Sequence, residues 1–116
     1  GLVGYNESWG TVINSYSSGS VTGGDFEVGG LAGASESGAA ISNSFWDVET
    51  SGQATSDGGT GKTTAEMQSI ATFSDMETEG LDGPWDMIAV APGDTDDEYS
   101  WNIVDGQTYP FLGWER

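Results

Sequence analysis

Apolar residues in this chain come in short clusters, and the spacers between them are rich in Gly, Ser, Thr and Asn. Near the N-terminus the clusters predict three brief extended runs, Leu2–Tyr5, Val12–Ser17 and Ser20–Thr22. Turn-forming stretches at Asn6–Gly10 and Gly23–Asp25 separate them. In the middle run Val12, Asn14 and Tyr16 alternate with Ile13, Ser15 and Ser17. Successive strand side chains point to opposite faces, so one of these sets faces inward.

The pattern then returns. The segment GLVGYNESWGTVINSY (Gly1–Tyr16) comes back as GLAGASESGAAISNSF (Gly30–Phe45), 29 residues later and without a gap. Seven of the 16 aligned positions are identical, among them Glu7/Glu36, Ser8/Ser37 and Asn14/Asn43. The set Val12, Asn14, Tyr16 recurs as Ile41, Asn43, Phe45, whereas Ile13 is replaced by Ser42; this assigns positions 12, 14 and 16 to the inner face. An inward Asn14 lying over Asn43 could form an amide–amide hydrogen bond along the stack near a bend; the alternative is that Asn and Ser there only mark a turn. Three short strands in about 29 residues is the spacing of a solenoid coil, in which each repeat stacks on the next.

After Trp46 the repeat stops, and a polar loop is expected over Asp47–Gly61. Thr63 precedes Glu66 by three residues, a capping-box arrangement that predicts a helix over about 64–73 with Met67, Ile70, Ala71 and Phe73 on its apolar side. Met87–Val90 reads as a short strand, and Tyr99–Leu112 as a hairpin around Asp105-Gly106. Trp85, Trp101, Tyr109, Phe111 and Trp114 gather in this half, where they are expected to fill a small cap core. The chain is therefore read as mostly β, with two coils of period 29 over residues 1–46 and a capping segment over 47–116. The cap is expected to cover a stack end that would otherwise expose strand edges.

The N-terminal tract GLVGYN…GTVINSYSSGSVTG…VGGLAG resembles the GLUG repeat of bacterial and archaeal cell-surface proteins over roughly Gly1–Phe45. The following NSFWDVETSGQATSDGGTGKTTAEMQ, with the later PWDM and DGQTYPFL, resembles the closing segment that follows such repeats. The resemblance implies a right-handed parallel β-helix (a β-solenoid) in an adhesin-like surface protein and transfers no catalytic residue. The second copy departs from the pattern, with Ala34 in place of Tyr5 and Ala39–Ala40 in place of Gly10–Thr11; it reads as a terminal, degenerate coil.

Charge narrows the function. Nineteen acidic residues face only Lys62 and Arg116, and His and Cys are absent, giving a formal net charge of −17. Two cations cannot replace phosphate counterions, so nucleic acid is excluded as a partner, and anionic membrane surfaces repel the chain. His- or Cys-dependent nucleophiles and zinc sites built on those ligands are excluded outright. No apolar run approaches a membrane span. Seven of the acids precede Thr60 and twelve follow it. Such a surface suits a high-salt setting, such as that of a halophilic archaeon, where screening offsets self-repulsion.

Three motifs invite specific chemistry. DGGTGKTT (Asp57–Thr64) resembles a phosphate-binding loop, but Ser56 stands where that pattern needs Gly and no buried strand precedes it. Its glycines are expected to shape a loop. Asp94, Asp96, Asp97 and Glu98 could supply oxygen ligands to Ca²⁺, although the EF-hand spacing is missing. Paired carboxylates such as Asp47 with Glu49, or Asp86, could in principle hydrolyse a glycosidic bond, but no separation can be read for them.

The resulting expectation is a non-catalytic structural or adhesive element of an extracellular surface protein, without a cofactor unless Ca²⁺ binds. It is expected to be the rigid end of a solenoid, assembling into filaments or a surface lattice in high salt. The chain starts inside a coil, so it reads as a piece or processed product of something longer. Preceding repeats, or another copy of the chain, are expected to contact Gly1, Leu2, Val3, Gly4 and Tyr5. The alternative is a glycan- or ice-binding module using Trp101, Trp114 or an exposed Thr/Ser surface. Irregular outer positions, Ile13/Ser42 and Ser17/Trp46, count against an ice-binding lattice.

Overall fold

A computed structural model describes residues 1–23 and 26–115. The turn expected at Gly23–Asp25 thus falls partly outside the described residues, as does Arg116. The order of elements is β1 (Val3–Asn6), β2 (Thr11–Ile13), β3 (Tyr16–Ser17), β4 (Ala32–Ser35), β5 (Ala40–Ser42), β6 (Phe45–Asp47), α1 (Val48–Ser51), β7 (Thr60–Lys62), α2 (Thr64–Met67), α3 (Ile70–Ser74), β8 (Met87–Ala89), β9 (Trp101–Ile103) and β10 (Phe111–Leu112). The chain is mostly β, with short helices, and its strands form small separate sheets. Two compact units divide it, Gly1–Thr64 and Ala65–Arg116.

In the first unit the repeat sets the strand register. β1 pairs with β4, β2 with β5 and β3 with β6, all parallel, through Val3↔Ala32, Val12↔Ile41 and Tyr16↔Phe45. Every one of these pairs is 29 residues apart, the period of the sequence repeat. The expected run Val12–Ser17 is broken at Asn14-Ser15 into β2 and β3. Asn14 and Asn43 both turn the chain with positive φ, 48° and 53°, a conformation that Asn tolerates better than other side chains. The expected bond is present: Asn43 Nδ2 donates to Asn14 Oδ1 at 2.5 Å.

The corner also limits the assignment of the inner face: Val12 is half-buried and Ile13 exposed as expected, but the assignment fails beyond them. Because the chain bends at Asn14 and Asn43, alternation does not carry through it. Asn14 is exposed, Asn43 is buried, and Phe45 and Trp46 are both buried although they are neighbours. Trp46 was expected outside; instead residues after α1 fold back over it, and its indole Nε1 donates to the Gln53 carbonyl at 2.9 Å. Ser20–Thr22 forms no strand. The residues 29 positions later lie in or beside α1, so no ladder can form. Val21 instead donates its N–H to Ser51 O and accepts from Gln53 Nε2.

The stretch expected as a plain loop, 47–61, is more ordered than its polarity suggests. Asp47 Oδ1 accepts from the N–H groups of Glu49 and Thr50 and starts α1. Further on, β7 adds to β6 through Phe45↔Thr60, Trp46↔Gly61 and Asp47↔Lys62. Ahead of β7, the Thr55 carbonyl and the Ser56 hydroxyl accept from Gly30, Leu31 and Ala32 N–H, and Asp57 N–H donates to Ala32 O. A shortened third rung therefore lies against the second coil. The core of this unit is Leu31, Ala32, Phe45 and Trp46, with Lys62 buried and its Nζ 5.9 Å from the Phe45 ring centroid.

The second unit has its own core of Met67, Phe73, Leu81, Trp85, Ile103, Val104 and Phe111. Phe73, Trp85 and Trp101 form a tilted aromatic run, with centroids 4.7 and 5.1 Å apart. The strand expected at 87–90 is β8, and the expected hairpin is β9 and β10, antiparallel through Leu112↔Trp101. The expected single helix is broken into α2 and α3. Its break has a tertiary cause: Gly106 N–H donates to the Gln68 carbonyl at 2.7 Å, and Asp105 Oδ1 accepts from Ile70 N–H at 2.9 Å. The Asp105-Gly106 turn thus takes the groups that would have continued the helix. Among the described residues no helix is long and apolar enough to cross a membrane.

The Asn corners yield the first prediction. Asn43→Leu combines a side chain unsuited to positive φ with a lost hydrogen bond, and is expected to cost about 2–3 kcal/mol in denaturant unfolding. Asn43→Gly, which keeps the backbone unstrained, is expected to cost only about 1 kcal/mol.

Candidate functional site

The residues expected to form an interface do lie on an open edge. β1 and β2 each pair with a single strand, and among the described residues no strand adds to their other side. Leu2, Tyr5 and Ile13 are each about half exposed, at 48%, 48% and 54%. Leu2, Val3 and Gly4, with Val21, Thr22 and Val28, line an open pocket of about 290 Å³. The backbone groups on this edge and the apolar side chains beside it suit it to receiving another strand.

The way the first coil is fastened to the second shows what such a joint uses. Glu36, in the turn after β4, accepts three hydrogen bonds from the first coil. Tyr5 Oη donates to Oε1 at 2.6 Å, while Ser8 N–H and Ser8 Oγ donate to Oε2 at 2.7 and 2.5 Å. The Ser8 hydroxyl first, then the Tyr5 hydroxyl and the Ser8 N–H, hold the Glu36 carboxyl below its ordinary value of 4.5. The same bond to Glu36 raises the Tyr5 hydroxyl above its ordinary value. Glu36 had no assigned role in the sequence. Its signal was the identity Glu7/Glu36 within the repeat.

Trp9 sits in the same region. Gly10 N–H donates to Glu7 O, and Ala39 N–H to Glu36 O, so both coils make the same four-residue turn. The third position has φ +92° at Gly38 and +69° at Trp9. A bulky residue is therefore held in a conformation that favours glycine, and Trp9 is 87% exposed.

The other candidates are placed as follows. Asp96, Asp97 and Glu98 line an open pocket of about 540 Å³ with Thr95, Gly113 and Trp114; Asp94 is not among its walls. The four carboxylates do not converge: among the described residues no three acidic side chains form a metal-holding group. The reason is local. Asn102, fully buried, accepts from Asp96 N–H at 2.7 Å and donates to Asp96 O at 2.9 Å, and Asp96 Oδ1 turns back to Glu98 N–H. Trp114 is 67% exposed, whereas Trp101 is half-buried against Trp85. Sequence reasoning therefore found the exposed member of that pair but missed Asn102, a lone polar residue in an apolar strand.

The carboxylates considered for hydrolysis are engaged structurally. Asp47 is wholly buried and accepts from Glu49, Thr50 and the Thr64 hydroxyl. Asp86 Oδ2 accepts from Ser100 N–H and Oγ. In the loop resembling a phosphate site, a Cβ at Gly58 or Gly59 would strike Ile41 or Leu31, and one at Gly61 would strike Val48 and Trp46. These glycines let the third rung approach the second coil.

Comparison with known proteins agrees with the repeat. The chain carries a GLUG motif, matched over residues 1–22. A protein of Evansella cellulosilytica named "Putative Gly-rich membrane protein" is 40% identical over 89 residues, which cover 73% of this chain and 10% of the relative. The chain thus spans about a tenth of the length of that relative. No solved structure matches it.

The Glu36 clamp predicts a pH signature. A carboxyl whose folded value lies below its unfolded one contributes stability above the unfolded value and loses it as pH falls through the folded value. Thermal melts should show Glu36→Gln less stable than the parent at pH 7. The difference should close as the pH drops below about 4.5. A gap that persists at low pH would contradict the clamp.

Proposed function

We propose that this chain is a non-catalytic structural module of a surface protein, the end of a right-handed parallel β-helix that acts as a rigid element in adhesion or assembly. The observation that carries this reading is the common offset of the three parallel ladders in the first unit. One repeat laid on the next in constant register is how a stiff solenoid is built. The GLUG motif and the name of the Evansella relative support placement at the cell surface. Filament or lattice formation in high salt is the finer part of the proposal, and it rests on the charge of −17, which favours a strongly screening medium.

Location is tested on the parent protein in intact cells with an antibody raised against this chain. Labelling without permeabilisation is expected; labelling only after lysis would overturn the reading. The high-salt component has a separate readout. The melting temperature should rise between low and molar salt, since screening relieves self-repulsion; a melt indifferent to salt removes it.

A second reading is favoured by one observation, the exposed Trp114 beside Asp96, Asp97 and Glu98 in one pocket. An aromatic plate with carboxylate acceptors suits a sugar, which stacks through C–H groups and donates its hydroxyls. On a glycan array the parent chain would then bind, and Trp114→Ala would lose at least tenfold in affinity without a change in melting temperature. No binding by the parent would leave the structural reading alone.

A further inference from the structure

The first coil carries half of a joint whose complete form lies one repeat below it. Glu36 accepts from Tyr5 and Ser8 of the coil above, and Asn43 donates to Asn14 of the coil above. The residues 29 positions earlier are Glu7 and Asn14. Among the described residues the Glu7 carboxylate has no hydrogen-bond partner, and the Asn14 amide nitrogen donates to nothing. Both residues are exposed, in the coil whose β1 and β2 each pair with a single strand among the described residues.

We infer that this edge receives a further coil of the same 29-residue type, supplied by a longer polypeptide, and that Glu7 is the acceptor that clamps it. This inference rests on the solenoid reading above. The incoming coil would offer a Tyr hydroxyl and a Ser three residues later to Glu7, and an Asn carbonyl oxygen to the Asn14 amide. Each bond repeats a direction already present between the two coils. A second copy of this chain does not fit. Its Tyr5 and Ser8 donors are engaged by its own Glu36, and face-to-face contact would set Glu7 near Glu7 of the other copy. The opposite end of its stack is covered by Thr55–Lys62.

The test uses the full chain and a version with one additional copy of residues 1–29 fused ahead of Gly1. The extended protein should melt at a higher temperature in one transition, with amides of the added segment protected from hydrogen exchange. Glu7→Gln should then lower the melting temperature of the extended protein by as much as Glu36→Gln lowers that of the 116-residue chain. In the chain without the added coil, Glu7→Gln should shift it by less than about 1 °C. An added coil that is protected and stabilising but indifferent to Glu7→Gln would overturn the clamp while leaving the solenoid reading intact. An added coil that stays unprotected would overturn both. A concentration-dependent dimer of the 116-residue chain that Glu7→Gln dissociates would assign the edge to a second copy and overturn the inference as well.

Discussion

The backbone hydrogen bonds between one repeat and the next are the constraint on which the first unit depends. Its strands are two to four residues long, too short to persist alone. Parallel pairing at a fixed offset solves this by giving every short strand a partner of nearly the same sequence. Leu31 accepts from Leu2 and Val3, Asn6 from Glu36, Gly10 from Ala40 and Ser15 from Phe45. The side-chain features follow from that register. Asn lies over Asn at the corner because the backbone beneath repeats, and the Glu36 carboxylate meets Tyr5 and Ser8 because both coils make the same turn.

What could be read from the sequence was what repeats or is local. The offset of 29 was visible in residue identities, and the three ladders follow it. The Asn pair was one of two readings the offset allowed, and the β9–β10 hairpin followed from the Asp105-Gly106 turn signal. What could not be read were groups satisfied from far along the chain. Nothing near Gln68 announces that Gly106 will take its carbonyl, so the helix appeared continuous. Nothing near Trp46 announces that the Gln53 carbonyl will return to its indole N–H. The period-2 rule failed at Asn14 for a related reason: it describes a strand, and a residue at positive φ ends one.

The acidic and glycine-rich composition also takes on a different meaning once the packing is known. Several carboxylates serve the backbone, as Asp47 does at α1, Asp57 at Ser35 and Asp105 at α3. The glycines of DGGTG make room for Ile41, Leu31 and Trp46 rather than cradling a ligand. A motif defined by small residues records close approach, and the approaching group can be the protein itself. Trp9 shows the converse, since a large residue occupies the turn position that its counterpart gives to Gly38.

The shortened rung over Thr55–Lys62 gives the stack a direction. It offers no repeat-length strand pattern for another coil to copy, while the far side of the first coil still offers one. In the proposed solenoid, further repeats would therefore add on one side only, and the number of repeats would set the length, much as a ruler with a fixed stop is read from the stop outward.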